Sequence, residues 1–168
     1  MNADSTTIMY FIVRKSLEIS AGKLAAQVGH AVTDLVIRGQ GYILFPQQEF
    51  SKNKENYIEW LNSGGTKVVL EAEDKVYDLI KTKLREMSIP FSIITDEGRT
   101  ELKEPTETVL GIFPAKKEEL KSIVGGLILY QDRYKVRCKK AEDQLAQIKE
   151  NLNVLDEIKK LVAKSKLR

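Results

Sequence analysis

The sequence predicts an α/β fold: a mixed four-stranded sheet flanked by helices in three layers, followed by a long C-terminal amphipathic helix. Short runs rich in β-branched and aromatic residues alternate with segments of helical period. Right-handed crossovers between such strands place helices on the faces of the sheet. From about Gln131 the composition changes and apolar residues follow heptad spacing. We therefore expect a domain at residues 1–130 and a basic helical extension at residues 131–168.

Each element of the predicted domain has a pattern of its own. Four strands are expected where β-branched and aromatic residues concentrate, at residues 6–15, 66–72, 90–96 and 108–114. Four helical segments are expected, from Gly22 to the glycines of 38–41, and at 53–65, 73–89 and 116–130. The last of these is interrupted or ended by Gly125 and Gly126. Because a loop and not a helix joins the third and fourth strands, they are expected to run antiparallel.

Two of the predicted helices have an apolar face. The helix at 73–89 is expected to bury Val76, Leu79, Ile80, Leu84 and Met87. The C-terminal helix has apolar residues at four-three spacing, interrupted by Lys159: Ala141, Leu145, Ile148, Leu152, Leu155 and Val162. This spacing predicts either a coiled-coil seam of about three heptads or a helix folded back on the body of its own chain.

Composition narrows the classes of function. No apolar run is long enough to span a membrane, and the N-terminus has no signal-peptide pattern, so we expect a cytoplasmic protein. A single cysteine, Cys138, excludes an internal disulfide or a thiolate metal cluster, and we expect an inert thiol. The net charge is +3, and the extension holds eleven Lys or Arg against six Asp or Glu. Any nucleic-acid surface on the main domain must therefore be a local patch.

The first helix has a polar stripe that is the first candidate site. Steps of four, three and four residues from Lys23 reach Gln27, His30 and Asp34, which share one face. His30 is the only histidine, and Asp34 stands at the spacing from which a carboxylate can hold an imidazole. Taken alone, a solvated polar face explains this stripe more simply. A metal site is not predicted, because one histidine lacks a second imidazole or a thiolate.

The start of that helix has some features of a phosphate site. Free backbone N–H groups and the positive end of the helix dipole meet at Gly22 and Lys23. The glycine spacing of a nucleotide loop is missing, and Leu24 stands where a magnesium-binding hydroxyl would be required. A nucleotide triphosphatase is therefore not predicted.

The second candidate site is the loop "TDEGRT" at the end of the third predicted strand. Asp96 can accept or hold a proton, and Arg99 can bind a phosphate through two N–H groups. Thr100 can donate or accept a hydrogen bond. The alternative is a turn in which Asp96 caps its own backbone and Gly98 supplies a positive φ angle.

Four stretches in this order carry a resemblance: "YFIVRKSLEISAGKLAAQVGHAV", "TKVVLEAED", "ITDEGRTELKEPTETVLGIFPAKKEEL" and "GGLILY". Together they closely resemble the type 2 peptidyl-tRNA hydrolases. The resemblance covers roughly Met9 to Tyr130, apart from the segment near Gly41 to Trp60. It implies hydrolysis of the ester between a peptide and the 3′-terminal ribose of a tRNA. It also implies a compact α/β domain, a homodimer, and no metal or organic cofactor.

The resemblance also implies roles for individual residues. It places catalytic groups at Lys23, Asp96, Thr100 and Thr108, and supporting groups at Gln27 and His30. On this basis, we expect Asp96 to orient or deprotonate the attacking water, assisted by Thr100 or Thr108. Lys23 would stabilise the oxyanion or alternatively grip the terminal tRNA phosphate.

The remaining site residues are expected around this group. Asp34 should support His30, and tRNA phosphates should meet Arg14, Lys15 and Arg99. Arg99 serves equally well as a structural clamp on its own loop.

Some positions depart from the family pattern. Ser16 replaces a usual acidic residue, and Ala21 stands where a basic residue of the presumed tRNA surface is usual. The segment 41–60 is longer than expected, and the helix after Gln131 lies beyond the usual end of the family. That helix could replace the lost basic contact, extend the dimer or recruit another protein. The alternative function is a non-catalytic tRNA- or protein-binding module that uses the helix as an oligomerisation arm.

Overall fold

The computed structural model describes residues 6–44, 51–131 and 133–165. These residues form five strands: β1 Thr7–Arg14, β2 Lys67–Ala72, β3 Phe91–Asp96, β4 Thr106–Lys116 and β5 Ile128–Leu129. They also form five helices: α1 Ala21–Leu44, α2 Ser51–Asn62, α3 Asp74–Glu86, α4 Lys117–Val124 and α5 Arg133–Ser165. The chain divides into two compact units, one ending at Tyr130 and the other beginning at Gln131.

The strands of the first unit form one mixed sheet in the order β3-β4-β1-β2-β5. β1 pairs in parallel with β2, whereas β4 runs antiparallel to both β1 and β3. The carboxyl ends of β1, β2 and β3 therefore meet at one edge of the sheet, where β4 begins. The predicted α/β class and the antiparallel fourth strand are confirmed.

The alternation of side chains along β1 builds the three layers. The strand is buried on both faces, which explains its nearly continuous apolar sequence. One face packs with α1 and α2 in a cluster that includes Met9, Phe11, Val13, Leu35, Tyr57 and Trp60. The other packs with α3 and α4 in a cluster that includes Ile8, Tyr10, Ile12, Ile80, Leu84 and Leu120. The sheet is thus covered by helices on both faces, as predicted.

The fifth strand corrects the prediction of four. After Gly125 and Gly126 the chain turns back, and Ile128 and Leu129 pair with Glu71 and Leu70 at the edge of β2. Two residues are too short a strand to show a periodic pattern in sequence.

Helix α1 corrects a second prediction, because it runs through the glycines expected to end it and continues to Leu44. A Cβ atom added at Gly39 would lie 2.5 Å from the Tyr57 ring of α2. Glycine is thus required there for close helix packing and not for a helix stop. Residues 45–50 of the long segment noted above lie outside the described residues.

The apolar face of α3 was only partly predicted. Ile80 and Leu84 are buried as expected, but the third buried residue is Tyr77. Val76, Leu79 and Met87 are exposed by 37%, 52% and 41%. The buried face is rotated relative to the predicted one, because the aromatic ring of Tyr77 packs into the core.

Helix α5 forms where the heptad spacing predicted it. Four apolar residues of its stripe are about half exposed, Leu145, Ile148, Leu152 and Leu155, and Ala141 is exposed as well. The side chains of Cys138 and Val162 lie outside the described part of the chain. Among the helices in the described ranges, none is long and apolar enough to cross a membrane.

Candidate active site

A cavity of about 380 Å³ opens at the edge where β3 ends and α1 begins. Loops at the carboxyl ends of strands are the usual place for ligands in α/β proteins. The lining includes six of the residues predicted from sequence: Lys23, Gln27, His30, Asp96, Arg99 and Thr100. Both candidate sites of the sequence therefore meet at a single cavity.

Lys23 joins the two walls of this cavity. Its Nζ atom forms an ion pair with Asp96 Oδ2 and donates a hydrogen bond of 2.8 Å to Thr100 Oγ1, 77 positions away in sequence. The side chains of Lys23 and Asp96 are only 15% and 9% exposed. Limited contact with solvent strengthens such a pair relative to one on the open surface.

Asp96 is surrounded by hydrogen-bond donors. Gln27 Nε2 lies 3.1 Å from Asp96 Oδ2, and the Gly98 N–H donates to Oδ1 at 3.0 Å. The hydrogen bond from Lys23 is the largest cause that lowers the pKa of Asp96, followed by the Gly98 N–H, while burial opposes them. The carboxyl group is consequently ionised at neutral pH.

The loop after Asp96 also contains the turn that the sequence suggested as an alternative. Gly98 has a φ of +78°, and a Cβ atom there would lie 2.6 Å from the backbone nitrogen of Glu104. The capped turn and the site are thus one structure, because the same turn aims the Gly98 N–H at Asp96.

Thr108 lies behind the cavity wall. It is fully buried, and its hydroxyl lies 2.9 Å from Gln27 Oε1 and 3.0 Å from the carbonyl oxygen of Ile94. Gln27 Nε2 donates to Asp96, and Gln27 Oε1 faces the Thr108 hydroxyl, which shares its one hydrogen between Oε1 and the Ile94 carbonyl oxygen. The orientation of the Gln27 amide is therefore set at both ends. Thr108 therefore reaches Asp96 through Gln27.

A β-bulge turns Thr108 toward α1. Ile94 pairs with Val109 and Thr95 pairs with Glu107, so Thr108 is an extra residue in β4. In regular alternation its side chain would share the α3 face with Leu110. A bulge re-aims a side chain in this way.

His30 and Asp34 are not joined as expected. His30 is exposed at the cavity, while Asp34 Oδ2 lies 3.0 Å from an Nη atom of Arg38 in the next turn of α1. Within residues 6–44, 51–131 and 133–165, no hydrogen bond links His30 to Asp34. The same described residues contain no group of three His, Cys, Asp or Glu placed to hold a metal ion.

The three residues expected to contact tRNA are divided between different surroundings. Arg99 is 82% exposed at the cavity and lies 2.6 Å from Glu97 Oε2. Lys15 is half exposed and pairs with Glu73. Arg14 is only 20% exposed and faces α3, on the other side of the sheet from Lys23. The structure thus brings Arg99 to the cavity and does not bring Arg14 there.

The chain is similar to known proteins over most of its length. The family model described as Peptidyl-tRNA hydrolase PTH2 matches residues 7–130. The chain belongs to this family. A peptidyl-tRNA hydrolase of Saccharolobus islandicus is 38% identical over 122 residues, covering 72% of this chain and 97% of the relative. Similar enzymes of Saccharolobus solfataricus and Pyrobaculum aerophilum are 37% and 33% identical, with 97% of each relative covered.

The contact between Ser20 and Glu101 was not predicted from the sequence. The backbone N–H and the hydroxyl of Ser20 each lie 2.6 Å from a carboxylate oxygen of Glu101. The Ser20 hydroxyl also accepts a hydrogen bond of 3.2 Å from the Lys23 N–H, as in a helix N-cap. These contacts fasten the loop that bears Thr100 to the first turn of α1.

The electrostatics of Glu101 agree with this contact. The hydroxyl and then the backbone N–H of Ser20 lower the pKa of Glu101, so the carboxylate is ionised. A serine before a helix is a recognisable cap signal in sequence. The loop partner could not be found in that way, since it lies 81 positions away.

Proposed function

We infer that this protein hydrolyses the ester bond that joins the peptide to tRNA in peptidyl-tRNA, releasing free tRNA and peptide. Membership of the peptidyl-tRNA hydrolase family supports the reaction. The observation that carries the assignment to a site is the meeting of Lys23, Asp96 and Thr100 at one open cavity.

The carboxylate of Asp96 is suited to hold the attacking water. Ester hydrolysis requires a positioned water, a proton acceptor and donors for the developing oxyanion. A lowered pKa makes a carboxylate a weak base, which favours orienting the water over removing its proton. Thr100 Oγ1, held by Lys23, provides a second hydrogen-bonding group beside that water.

Lys23 is suited to stabilise the oxyanion of the tetrahedral intermediate. An ammonium group has three N–H donors, and here Asp96 and Thr100 take one each. The third remains for a substrate oxygen at the cavity. A terminal tRNA phosphate is the alternative acceptor for this donor.

Gln27 and Thr108 hold Asp96 in place, and His30 lies at the cavity where it can contact substrate. Arg99 and Lys15 are the exposed cations proposed to contact tRNA phosphates. Such contacts supply affinity that weakens steeply as salt rises.

We further propose that residues 1–130 act as the catalytic domain of a cytoplasmic homodimer and that residues 131–168 form a basic extension. The half-exposed stripe of α5 supports a role in association with a second chain or another protein, and its excess of Lys and Arg supports RNA contact. Sedimentation and salt-dependent tRNA binding of the full chain and of a chain ending at Gln131 would separate these roles. An oligomeric state unchanged by the truncation excludes the dimer role. An unchanged slope of log tRNA affinity against log salt concentration excludes the RNA role.

Incubation with a peptidyl-tRNA or an N-blocked aminoacyl-tRNA, with and without a chelator, tests the reaction directly. We expect release of the peptide in both conditions. Binding without release would instead support the non-catalytic module. Inhibition by the chelator would contradict the metal-independent mechanism.

A further inference from the structure

Residues on the opposite face of the sheet bear on the same site. We propose that Arg14, Lys81 and Glu107 are positioning residues that hold the bulge of β4 and thereby fix Thr108 against Gln27. The inference rests on the proposed hydrolase function, and it gives Arg14 a role other than contact with tRNA.

These three residues form a compact ion cluster between β1, α3 and β4. Glu107 Oε2 lies 2.9 Å from Lys81 Nζ and 3.5 Å from an Nη atom of Arg14. Both cations also contact Asp78 Oδ1, at 3.0 Å from Lys81 and 2.9 Å from Arg14. The Lys81 and Arg14 side chains are only 15% and 20% exposed and Glu107 is 34% exposed, whereas Asp78 is 58% exposed. Solvent therefore competes less for the contacts with Glu107 than for those with Asp78.

Tyr77 forms the floor of the cluster. Arg14 lies 4.2 Å and Lys81 lies 5.2 Å from the centroid of its ring, which is fully buried. Burial works to lower the pKa of Lys81, but hydrogen bonds to Glu107 and Asp78 outweigh it and raise the pKa. The amine therefore stays charged and keeps its hold on Glu107.

The link to the active site is the peptide bond between Glu107 and Thr108. Thr108 is the extra residue of the bulge, and the two neighbours point to opposite faces. One is held by cations on the α3 face, and the other is held by Gln27 on the α1 face. An anchor on each face fixes the bulge, which otherwise interrupts the pairing that holds a strand in register.

Arg14 is poorly suited to a phosphate in this setting. Three carboxylates already surround the two cations, because Asp74 lies 4.0 Å from the other Nη atom of Arg14. A site with more negative than positive charge repels a phosphate. This charge balance favours the positioning role.

Kinetics on the full chain test the proposal with Glu107→Gln and Arg14→Met, and Glu86→Gln serves as the matched control. We expect each test variant to lose about tenfold in kcat with KM unchanged, since small misplacements in a site are costly. Glu86 is exposed on the same helix as Lys81, so its variant should match the parent. A raised KM with a salt slope reduced by about 0.7–0.9 in Arg14→Met would instead make Arg14 a phosphate contact.

A double-variant cycle separates positioning from general destabilisation. If Glu107 acts through Thr108, Glu107→Gln should cost little further kcat in a Thr108→Val background. A full tenfold further loss in that background would overturn the proposal.

A readout independent of turnover separates this proposal from the proposed function. Carboxyl NMR titration should show a higher Asp96 pKa in Glu107→Gln and in Thr108→Val, because Gln27 would no longer be oriented to donate. An Asp96 titration unchanged in Glu107→Gln, with Thr108→Val shifted, would overturn the proposal whether or not the parent releases peptide. Failure of the parent to release peptide would instead overturn the proposed function.

Discussion

Two charged clusters lie at the same edge of the sheet, one on each face, and they differ in what adjoins them. On the α1 face, Lys23 and Asp96 form an ion pair at a cavity, where the proposed mechanism gives the remaining Lys23 donor to the substrate. On the α3 face, Arg14, Lys81 and Glu107 close over a buried tyrosine ring. We therefore propose that similar ion pairs take part in the reaction on one face, where a cavity adjoins them, and hold the strands in place on the other, where carboxylates already surround the cations.

The largest effect is expected from substitutions that break the ion pair of Lys23 and Asp96 on the α1 face. Lys23→Ala and Asp96→Ala should each lower turnover more than about a hundredfold, because they remove the proposed oxyanion donor and the group proposed to hold the water. Single-turnover release of peptide from an N-blocked aminoacyl-tRNA measures this. Lys75→Ala, an exposed lysine of α3, is the control and should match the parent. Near-normal turnover in both test variants would remove the catalytic assignment.

A smaller effect is expected one step behind the cavity. Thr108→Val should lower kcat about tenfold, because it leaves Gln27 Oε1 without its buried donor and frees the amide to turn from Asp96. Thr33→Val makes the same change at an exposed position of α1 and should leave kcat unchanged. Equal kinetics in the two variants would show that the contact with Gln27 is dispensable.

The dependence on pH sharpens the contrast at Asp96. The pKa of Asp96 is lowered in the folded protein. The contribution of its ionised carboxylate to folding stability is therefore fully present above the pKa of the unfolded chain, and it is lost as the pH falls through the pKa of the folded protein. We expect turnover to persist through the ordinary aspartate range and to fall below it, measured under short acid exposure. In Lys23→Met the carboxyl NMR titration of Asp96 should move up. A titration of Asp96 that stays in place would deny that Lys23 is the main cause.

The smallest effect is expected at the contact between Ser20 and Glu101, which joins the start of α1 to the loop that bears Thr100. Ser20→Ala should lower the free energy of unfolding by about 1 kcal/mol through the lost cap, and it should lower kcat a few-fold because Thr100 is held less firmly. Denaturant unfolding and steady-state kinetics measure the two effects. Ser122→Ala, at an exposed position of α4, is the control. A change in stability without any change in kcat would limit Ser20 to capping.

Much of the layout was predictable because it depends on short-range patterns. The spacing of Lys23, Gln27 and His30 places them on one face of α1 whatever the rest of the chain does. The meeting of Lys23 with Asp96 was predictable only through the family resemblance, since no local pattern links residues so far apart.

The features that could not be predicted depend on contacts between distant segments. Gly39 fits both a helix stop and a close approach, and only the ring of Tyr57 decides between them. Regular alternation along β4 would place the Thr108 side chain on the α3 face, and only the pairing with β3 reveals the bulge that turns it to the α1 face. The three carboxylates that occupy Arg14 come from α3 and β4.

The extra residue in β4 also bears on how the chain can change in length. A strand with a bulge can absorb the loss of one residue from the preceding loop by straightening, and its pairing with β3 would become more regular. The sheet would survive such a deletion, but the hydroxyl opposite Gln27 would be displaced. If Thr108 positions Gln27 as proposed, a one-residue deletion in the loop at 97–105 should therefore cost more activity than stability.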